Sequence, residues 1–110
     1  MQLNKDAEKK AAELIAAKQY VKDGDWSEDQ PTTEDENKFL ESHTWQDYGQ
    51  WHLGIHGEES KETKGRFGFP YGDFRRVHHS GLIAAKQRAA QEGYDEIEKA
   101  VDRLLKMMED

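Results

Sequence analysis

Cysteine is absent from this chain of 110 residues, and proline occurs only twice. Without cysteine the chain has no disulfide framework, no thiolate metal site and no cysteine nucleophile. The longest apolar runs, at residues 14–17 and 82–85, have four residues each, whereas a membrane-spanning helix needs about 20. The N-terminus also lacks the apolar core of a secretory signal. We therefore expect a soluble, cytoplasmic protein that contacts no membrane, and we expect no cofactor.

The length and the aromatic content predict one small folded unit. A chain of this size builds a single hydrophobic core, so we expect one domain over residues 1–110. Apolar residues make up only 35% of the sequence, which is lean for a globular protein. Three Trp, four Tyr and four Phe compensate, because each aromatic ring buries a large apolar area.

Apolar spacing and capping residues predict an all-α domain of four to five helices. We expect an N-terminal helix over residues 4–22, capped by Asn4, and a linker that reaches residue 30. A second helix is expected to begin at the T-x-x-E capping box of Thr33 and Glu36. A short continuation of it, capped by Thr44, would carry the aromatic side chains of Trp45, Tyr48 and Trp51.

The C-terminal half is predicted to hold two longer helices after a loop. Residues 55–72 are rich in glycine and aromatic side chains, which is typical of an ordered loop, with a short extended piece expected around Phe67 to Phe69. The next helix contains residues 82–92 and begins at either Asp73 or Ser80. The last helix covers residues 95–108, where Ile97, Val101, Leu104, Leu105 and Met108 form one apolar stripe.

The charge of the chain is unevenly distributed. The net charge of −7 disfavours binding to nucleic acid or anionic membranes. Residues 64–92 depart from this pattern, with six Lys and Arg against two Asp and Glu. This basic stretch either pairs with the acidic ends of its own chain or contacts a partner.

The segment from Lys64 to His79 alternates aromatic and cationic side chains. We interpret residues 66–79 as the binding face of a small non-catalytic protein, with another protein as the expected partner. The combination is also typical of single-stranded nucleic acid or phosphate-ligand binding, which is the first alternative. The candidate binding residues are Arg66, Phe67, Phe69, Tyr71, Phe74, Arg75, Arg76 and His78, with Trp51 and His52 beside them.

The same segment has a purely structural interpretation. Phe67, Phe69 and Phe74 could form a hydrophobic plug against the aromatic side chains of residues 45–51, while Arg75 and Arg76 pair with the acidic second helix. The stretch KGRFGF is similar to nucleic-acid-binding strands of cold-shock domains and RNA-recognition modules. Those strands lie inside β-sheets, and we expect no other strands here, so we treat this likeness as accidental.

Five histidines offer a second alternative, metal binding. His52 and His56 are four residues apart, which places both on one face of a helix. They are weak candidates, because Gly54 between them is expected to break that helix. The chain has no nucleophile elbow and no phosphate-binding loop motif. We therefore predict that the protein is not an enzyme and has no catalytic residues.

Residues 45–108 carry a resemblance to a known group of proteins. The segment FPYGDF is followed by VH, then by GLIA and a closing amphipathic helix, with WQDYGQWHLG upstream. This pattern resembles a family of small microbial proteins that has no established function. The resemblance brings no activity, ligand or site residue with it.

Overall fold

The computed structural model describes residues 1–109, which form a mixed α+β fold. The expectation of an all-α domain with four to five helices is therefore wrong: these residues contain six α-helices and also five strands in two sheets. In chain order the elements are β1 (Gln2–Leu3), α1 (Lys5–Ala16), β2 (Tyr20–Val21), α2 (Trp26–Asp29), α3 (Thr33–Ser42), α4 (Trp45–Gly49), β3 (His52–Ile55), β4 (Phe67–Pro70), β5 (Val77–His78), α5 (His79–Glu92) and α6 (Asp95–Glu109).

The larger sheet has the order β1-β3-β4, and both of its strand pairs are antiparallel. The stretch that we expected to be a loop, residues 55–72, therefore contains an edge strand. Gly54 and Gly68 face each other in the register of β3 and β4, and the side chain of Met1 occupies the space beside both glycines. Strands this short show no clear period-2 alternation, which is the signal that identifies a strand in a sequence.

The smaller sheet joins two distant parts of the chain. β2 and β5 run parallel, with Tyr20 opposite Val77 and Val21 opposite His78. The predicted helix over residues 4–22 is thus too long, because α1 ends at Ala16 and the chain continues as a strand. Residues 1–30 hold two strands and the short helix α2 besides α1.

Threonine side chains cap the N-termini of α3 and α4. Thr32 caps α3 and exchanges hydrogen bonds with Asp35, so the capping box lies one residue earlier than predicted. Thr44 caps α4 together with Asp47, which confirms Thr44 as a cap. Asn4 precedes α1 as predicted, but its side chain does not cap that helix.

The Asn4 amide instead connects the N-terminus to the middle of the chain. Its Nδ2 donates to the carbonyl oxygens of Gly49, at 2.9 Å, and His52, at 3.1 Å. The backbone N–H of Asn4 donates to Leu53 O at 2.8 Å. Asn4 is buried, and its three bonds hold β1 and the start of α1 against α4 and β3.

The last two helices provide much of the hydrophobic core. α5 ends at Glu92 and is followed by Gly93, whose φ of 75° is the left-handed conformation that favours glycine at a helix C-terminus. α6 buries Ile97, Val101, Leu104 and Met108, which confirms the predicted apolar stripe. α6 packs on both α5 and α1. No helix within residues 1–109 is both long enough and apolar enough to cross a bilayer.

Candidate functional site

The predicted binding residues do not form one continuous exposed face. Phe69 and Tyr71 are buried in the core, and so are Trp51, His52 and His78. Arg66, Phe67 and Phe74 are half-buried, whereas Arg75 and Arg76 are exposed. Most of the predicted side chains in residues 66–79 are therefore buried or half-buried and serve the fold, and only the cations Arg75 and Arg76 are exposed.

Phe69 and Tyr71 are occupied by contacts inside the protein. The Phe69 ring meets the Tyr94 ring edge-on, with centroids 5.9 Å apart, and the Arg88 guanidinium lies 5.3 Å from the Phe69 centroid. The Tyr71 hydroxyl donates to Gln50 O at 2.8 Å, and burial raises the pKa of Tyr71 well above its ordinary value. Neither ring offers a free face for a base or a partner side chain.

Phe74 belongs to an aromatic cluster centred on Tyr48. The Phe74 ring stacks on Phe39 with centroids 4.4 Å apart, and it also lies 6.0 Å from Tyr48 and 5.9 Å from Trp51. Tyr48 further contacts Phe67, at 5.8 Å between centroids. Burial, together with the charge of nearby Glu36, raises the pKa of the Tyr48 hydroxyl. These packed rings join α3, α4 and β4 to the segment that follows β4.

That segment, Gly72 to Val77, is a tight loop that we call the arginine loop. A bridge pairs Gly72 with Val77, and Asp73 N donates to Arg76 O at 3.1 Å. Asp73 Oδ1 accepts hydrogen bonds from the backbone N–H groups of Arg75, at 3.0 Å, and Arg76, at 2.7 Å. One carboxylate thus fixes the backbone of both arginines.

The arginine loop also contains a strained residue. Phe74 has a φ of 67°, a left-handed conformation that is rare for a bulky side chain. Such strain costs about 1–3 kcal/mol and persists only where the surroundings enforce it. The packing of the Phe74 ring in the aromatic cluster and the hydrogen bonds of Asp73 supply that enforcement here.

The two arginines of this loop form no ion pair with the part of the chain that the structure describes. Among residues 1–109, no carboxylate oxygen lies within 4.0 Å of a guanidinium nitrogen of Arg75 or Arg76. The cation that does contact the acidic helix α3 is Lys64, 3.4 Å from Glu36 Oε1 and 2.6 Å from Asn37 Oδ1. Arg75 and Arg76 therefore present their full charge to solvent from a fixed backbone.

Behind the arginine loop, His78 lies between two carboxylates. Its Nε2 is 2.9 Å from Asp73 Oδ2, and its Nδ1 is 3.7 Å from Asp29 Oδ2. Burial would raise the pKa of Asp73, but hydrogen bonds from His78, Arg76 and Arg75 outweigh it and lower this pKa. Neither Asp29 nor Asp73 was predicted as a site residue. Asp73 follows Gly72 in a turn, which is a signal for side-chain bonds to the backbone two residues on, whereas Asp29 follows Glu28 and has no such signal.

A groove of about 710 Å³ lies beside α4 and is separate from the buried rings. Trp45, Ile55 and Phe67 provide its apolar surface, and Lys61 and Arg66 contribute cations. The Nη1 of Arg66 donates to the carbonyl oxygens of Glu59, at 2.7 Å, and Gly57, at 3.3 Å. The groove is also lined by Asn4, Asp6, Thr44, Gln46, Gly49, Gln50 and Glu62.

His52 and His56, the weak candidates for metal ligands, lie on extended chain and not on a helix. His52 begins β3 and His56 follows it, so their Cα atoms are separated by roughly 13 Å of extended backbone. The Nδ1 of His52 bonds Tyr48 O at 2.9 Å, and burial lowers the pKa of His52 to about 4. Within residues 1–109, no three His, Cys, Asp or Glu side chains are grouped to hold a metal ion.

No protein-family model, curated protein or solved structure matches this chain. The resemblance of residues 45–108 to small microbial proteins stays a prediction. The KGRFGF stretch lies partly on a strand, because β4 begins at Phe67. However, β4 is an edge strand of its sheet and Phe69 is buried, so this strand does not present a row of aromatic rings.

Proposed function

We propose that this protein is a non-catalytic interaction domain whose arginine loop binds an acidic segment of a partner protein. The observation that supports it most is the anchoring of Arg75 and Arg76 on a strained, hydrogen-bonded backbone, while neither guanidinium forms an ion pair within residues 1–109. A loop already fixed in its bound conformation loses little entropy on binding. Guanidinium groups also bind carboxylates in a bidentate geometry that lysine does not reproduce.

The exposed cations of the arginine loop favour a partner segment with negative charge. Arg75 and Arg76 are exposed cations on a protein with a net charge of −7. An acidic peptide segment complements the loop locally, whereas a long polyanion would also meet the repulsion of the whole molecule. This comparison favours a protein partner over nucleic acid at this site.

The proposal can be tested with labelled acidic peptides of 10–15 residues, rich in Asp and Glu, by fluorescence anisotropy at low salt. Arg75→Ala with Arg76→Ala is expected to weaken binding by about tenfold or more, as loss of two charged contacts implies. Arg75→Lys with Arg76→Lys should lose part of the affinity, because it keeps the charge but not the bidentate geometry.

A matched control removes the same charge elsewhere. Lys99→Ala with Lys106→Ala deletes two exposed cations from α6 and should change the affinity less than about twofold. Equal losses in the control and the arginine-loop variant would mean that only net charge matters. That result, or the absence of binding by any acidic peptide, would refute the proposal.

A second candidate function is binding of single-stranded nucleic acid in the groove beside α4. It is favoured by one observation: half-buried Trp45 and Phe67 line the same groove as Lys61 and Arg66. Bases stack on aromatic rings while cations contact phosphates, and such binding weakens steeply with salt. Titration with 12-nucleotide DNA and RNA strands should show binding that weakens with salt. The Phe67→Ala variant should lose this binding. No binding at low salt would eliminate this candidate.

A further inference from the structure

The side chain of His78 contacts two segments that are far apart in the sequence. It is 5% exposed, and its two ring nitrogens face carboxylates from different sides: Asp73 in the arginine loop and Asp29 at the end of α2. Its backbone pairs with Val21 of β2, and α5 begins at the next residue. Helix α2, strand β2, helix α5 and the arginine loop thus meet at this imidazole.

The two nitrogens are not equivalent. Nε2 is within hydrogen-bond distance of Asp73 Oδ2, so a neutral ring carries its proton there and donates to that carboxylate. Nδ1 then holds a lone pair, and this buried atom has no hydrogen-bond partner within residues 1–109. The carboxylate oxygen Asp29 Oδ2 lies 3.7 Å from Nδ1. A lone pair facing a carboxylate is unfavourable, whereas a second N–H would be attracted to it.

Helix α2 depends on few contacts for its position. It has four residues, and none of them is buried. Its largest side chain, Trp26, packs on Gly81 of α5, where an added Cβ would lie 2.8 Å from the ring, and its centroid is 5.9 Å from that of His78. The Asp29–His78 contact also joins α2 to this side of the molecule. Because none of the four residues of α2 is buried, a change in this contact alters how firmly α2 is held.

Other charged groups near His78 do not replace this contact. On the β2 side, Val21 lies opposite His78 and the following Lys22 is exposed. On α5, the neighbouring ring of His79 and the hydroxyl of Ser80 follow in the chain, and the Ser80 Oγ is buried without a partner within residues 1–109. Asp25 of the α2 cap is engaged by Ser27. Asp29 and Asp73 are thus the charged groups recorded within 4 Å of the ring.

We propose that His78 is a proton-controlled latch for helix α2. When the imidazole is neutral, it donates to Asp73 alone and α2 is held mainly by Trp26. When the imidazole takes up a proton, it donates to both Asp73 and Asp29 and holds α2 more tightly against the start of α5. The device goes beyond the proposed interaction function and does not depend on it, since it involves only residues of this chain.

The test is amide hydrogen exchange of the free protein between about pH 5 and 8, the range over which histidines change charge. The reporters are the N–H groups of Asp29 and Gln30, which donate within α2. Their protection factors, corrected for intrinsic exchange, are expected to rise about three- to fivefold toward low pH. This size matches one partly screened ion pair.

Two variants separate the latch from a general effect of pH. Asp29→Asn removes the carboxylate with little change in shape and should abolish the rise. Glu28→Gln removes a neighbouring exposed charge from the same helix and should leave the rise intact. A flat profile in the unmodified protein, or an undiminished rise in Asp29→Asn, would overturn the proposal. Neither measurement uses a ligand, so the outcome is independent of whether the arginine loop binds acidic peptides.

Discussion

The ring of Phe74 stacks on the ring of Phe39, with centroids 4.4 Å apart and planes 17° from parallel. The backbone of the same Phe74 has a φ of 67°, which a residue with a Cβ adopts only at a cost. The aromatic contact and the backbone strain thus oppose each other at one position. Their balance determines how firmly the arginine loop is held.

Two substitutions at Phe74 should separate these contributions. Phe74→Ala loses the ring but keeps the strain, so we expect it to lower the free energy of unfolding by about 2 kcal/mol, less than for a fully buried Phe. Phe74→Gly also loses the ring but accommodates the positive φ, and it should be about 1 kcal/mol more stable than Phe74→Ala. Urea denaturation of both variants measures the difference. The usual order, with alanine more stable than glycine, would contradict the strain argument.

Gly81 lies in the first turn of α5, where alanine would normally stabilise a helix by about 1 kcal/mol. Here an added Cβ would be 2.8 Å from a Trp26 ring carbon and 3.0 Å from Tyr71 O. We therefore expect Gly81→Ala to destabilise the protein by about 1–3 kcal/mol, as overpacking does, and to shift the fluorescence of Trp26.

Gly93→Ala is the control for Gly81→Ala. Its Cβ would enter open space, so only the φ of 75° opposes the substitution. It should cost roughly 1 kcal/mol and leave the tryptophan fluorescence unchanged. A fluorescence change in both variants would show that Trp26 does not report on Gly81.

His52 makes stability depend on pH in a predictable direction. Burial lowers the pKa of His52 to about 4 in the folded state, against about 6.5 in an unfolded chain. The unfolded state therefore takes up the proton first, and the free energy of unfolding should fall by about 3 kcal/mol as the pH decreases from about 6.5 to about 4. His52→Asn should flatten this slope in urea titrations, whereas His79→Asn should not. A slope unaffected by His52→Asn would refute the assignment.

Asp73 acts in the same direction as His52, but at lower pH. Despite partial burial, its hydrogen bonds lower the pKa of the carboxyl group, so its stabilising effect is present above about pH 3.9 and is lost as the pH falls through the lower folded-state value. We expect Asp73→Asn to cost about 1–2 kcal/mol at pH 7 and to shift the amide resonances of Arg75 and Arg76. Asp23→Asn, at an exposed position, should do neither.

Local sequence signals predicted the helices better than the strands. The Thr44 cap and the stripe of α6 depend on residues within four positions of each other, and both were predicted correctly. The strands β1, β2 and β5 have two residues each, and β3 and β4 have four with glycine in both. Their stability comes from pairing with segments distant in the chain, such as Tyr20 with Val77, and no local pattern encodes such a partner.

The sequence predicted the segment that contains the candidate binding site, but not which of its side chains are exposed. The sequence drew attention to residues 66–79, but it could not show that Phe69 and Tyr71 point into the core while Arg75 and Arg76 remain exposed. Phe69 has a φ of 61° within β4, so the alternation expected of a regular strand is disturbed there. The contacts of His78 with Asp29 and Asp73 required the tertiary fold, because α2 and the arginine loop are brought together by the pairing of β2 with β5.

The N-terminal 21 residues supply one strand to each sheet, β1 beside β3 and β2 beside β5, with α1 between them. The exposed residues 23–25 that follow connect this segment to everything else. Without residues 1–21, β3 would lose its partner β1, β5 would lose its partner β2, and α6 would lose its contact with α1. The N-terminal segment therefore joins both sheets and the last helix into one fold.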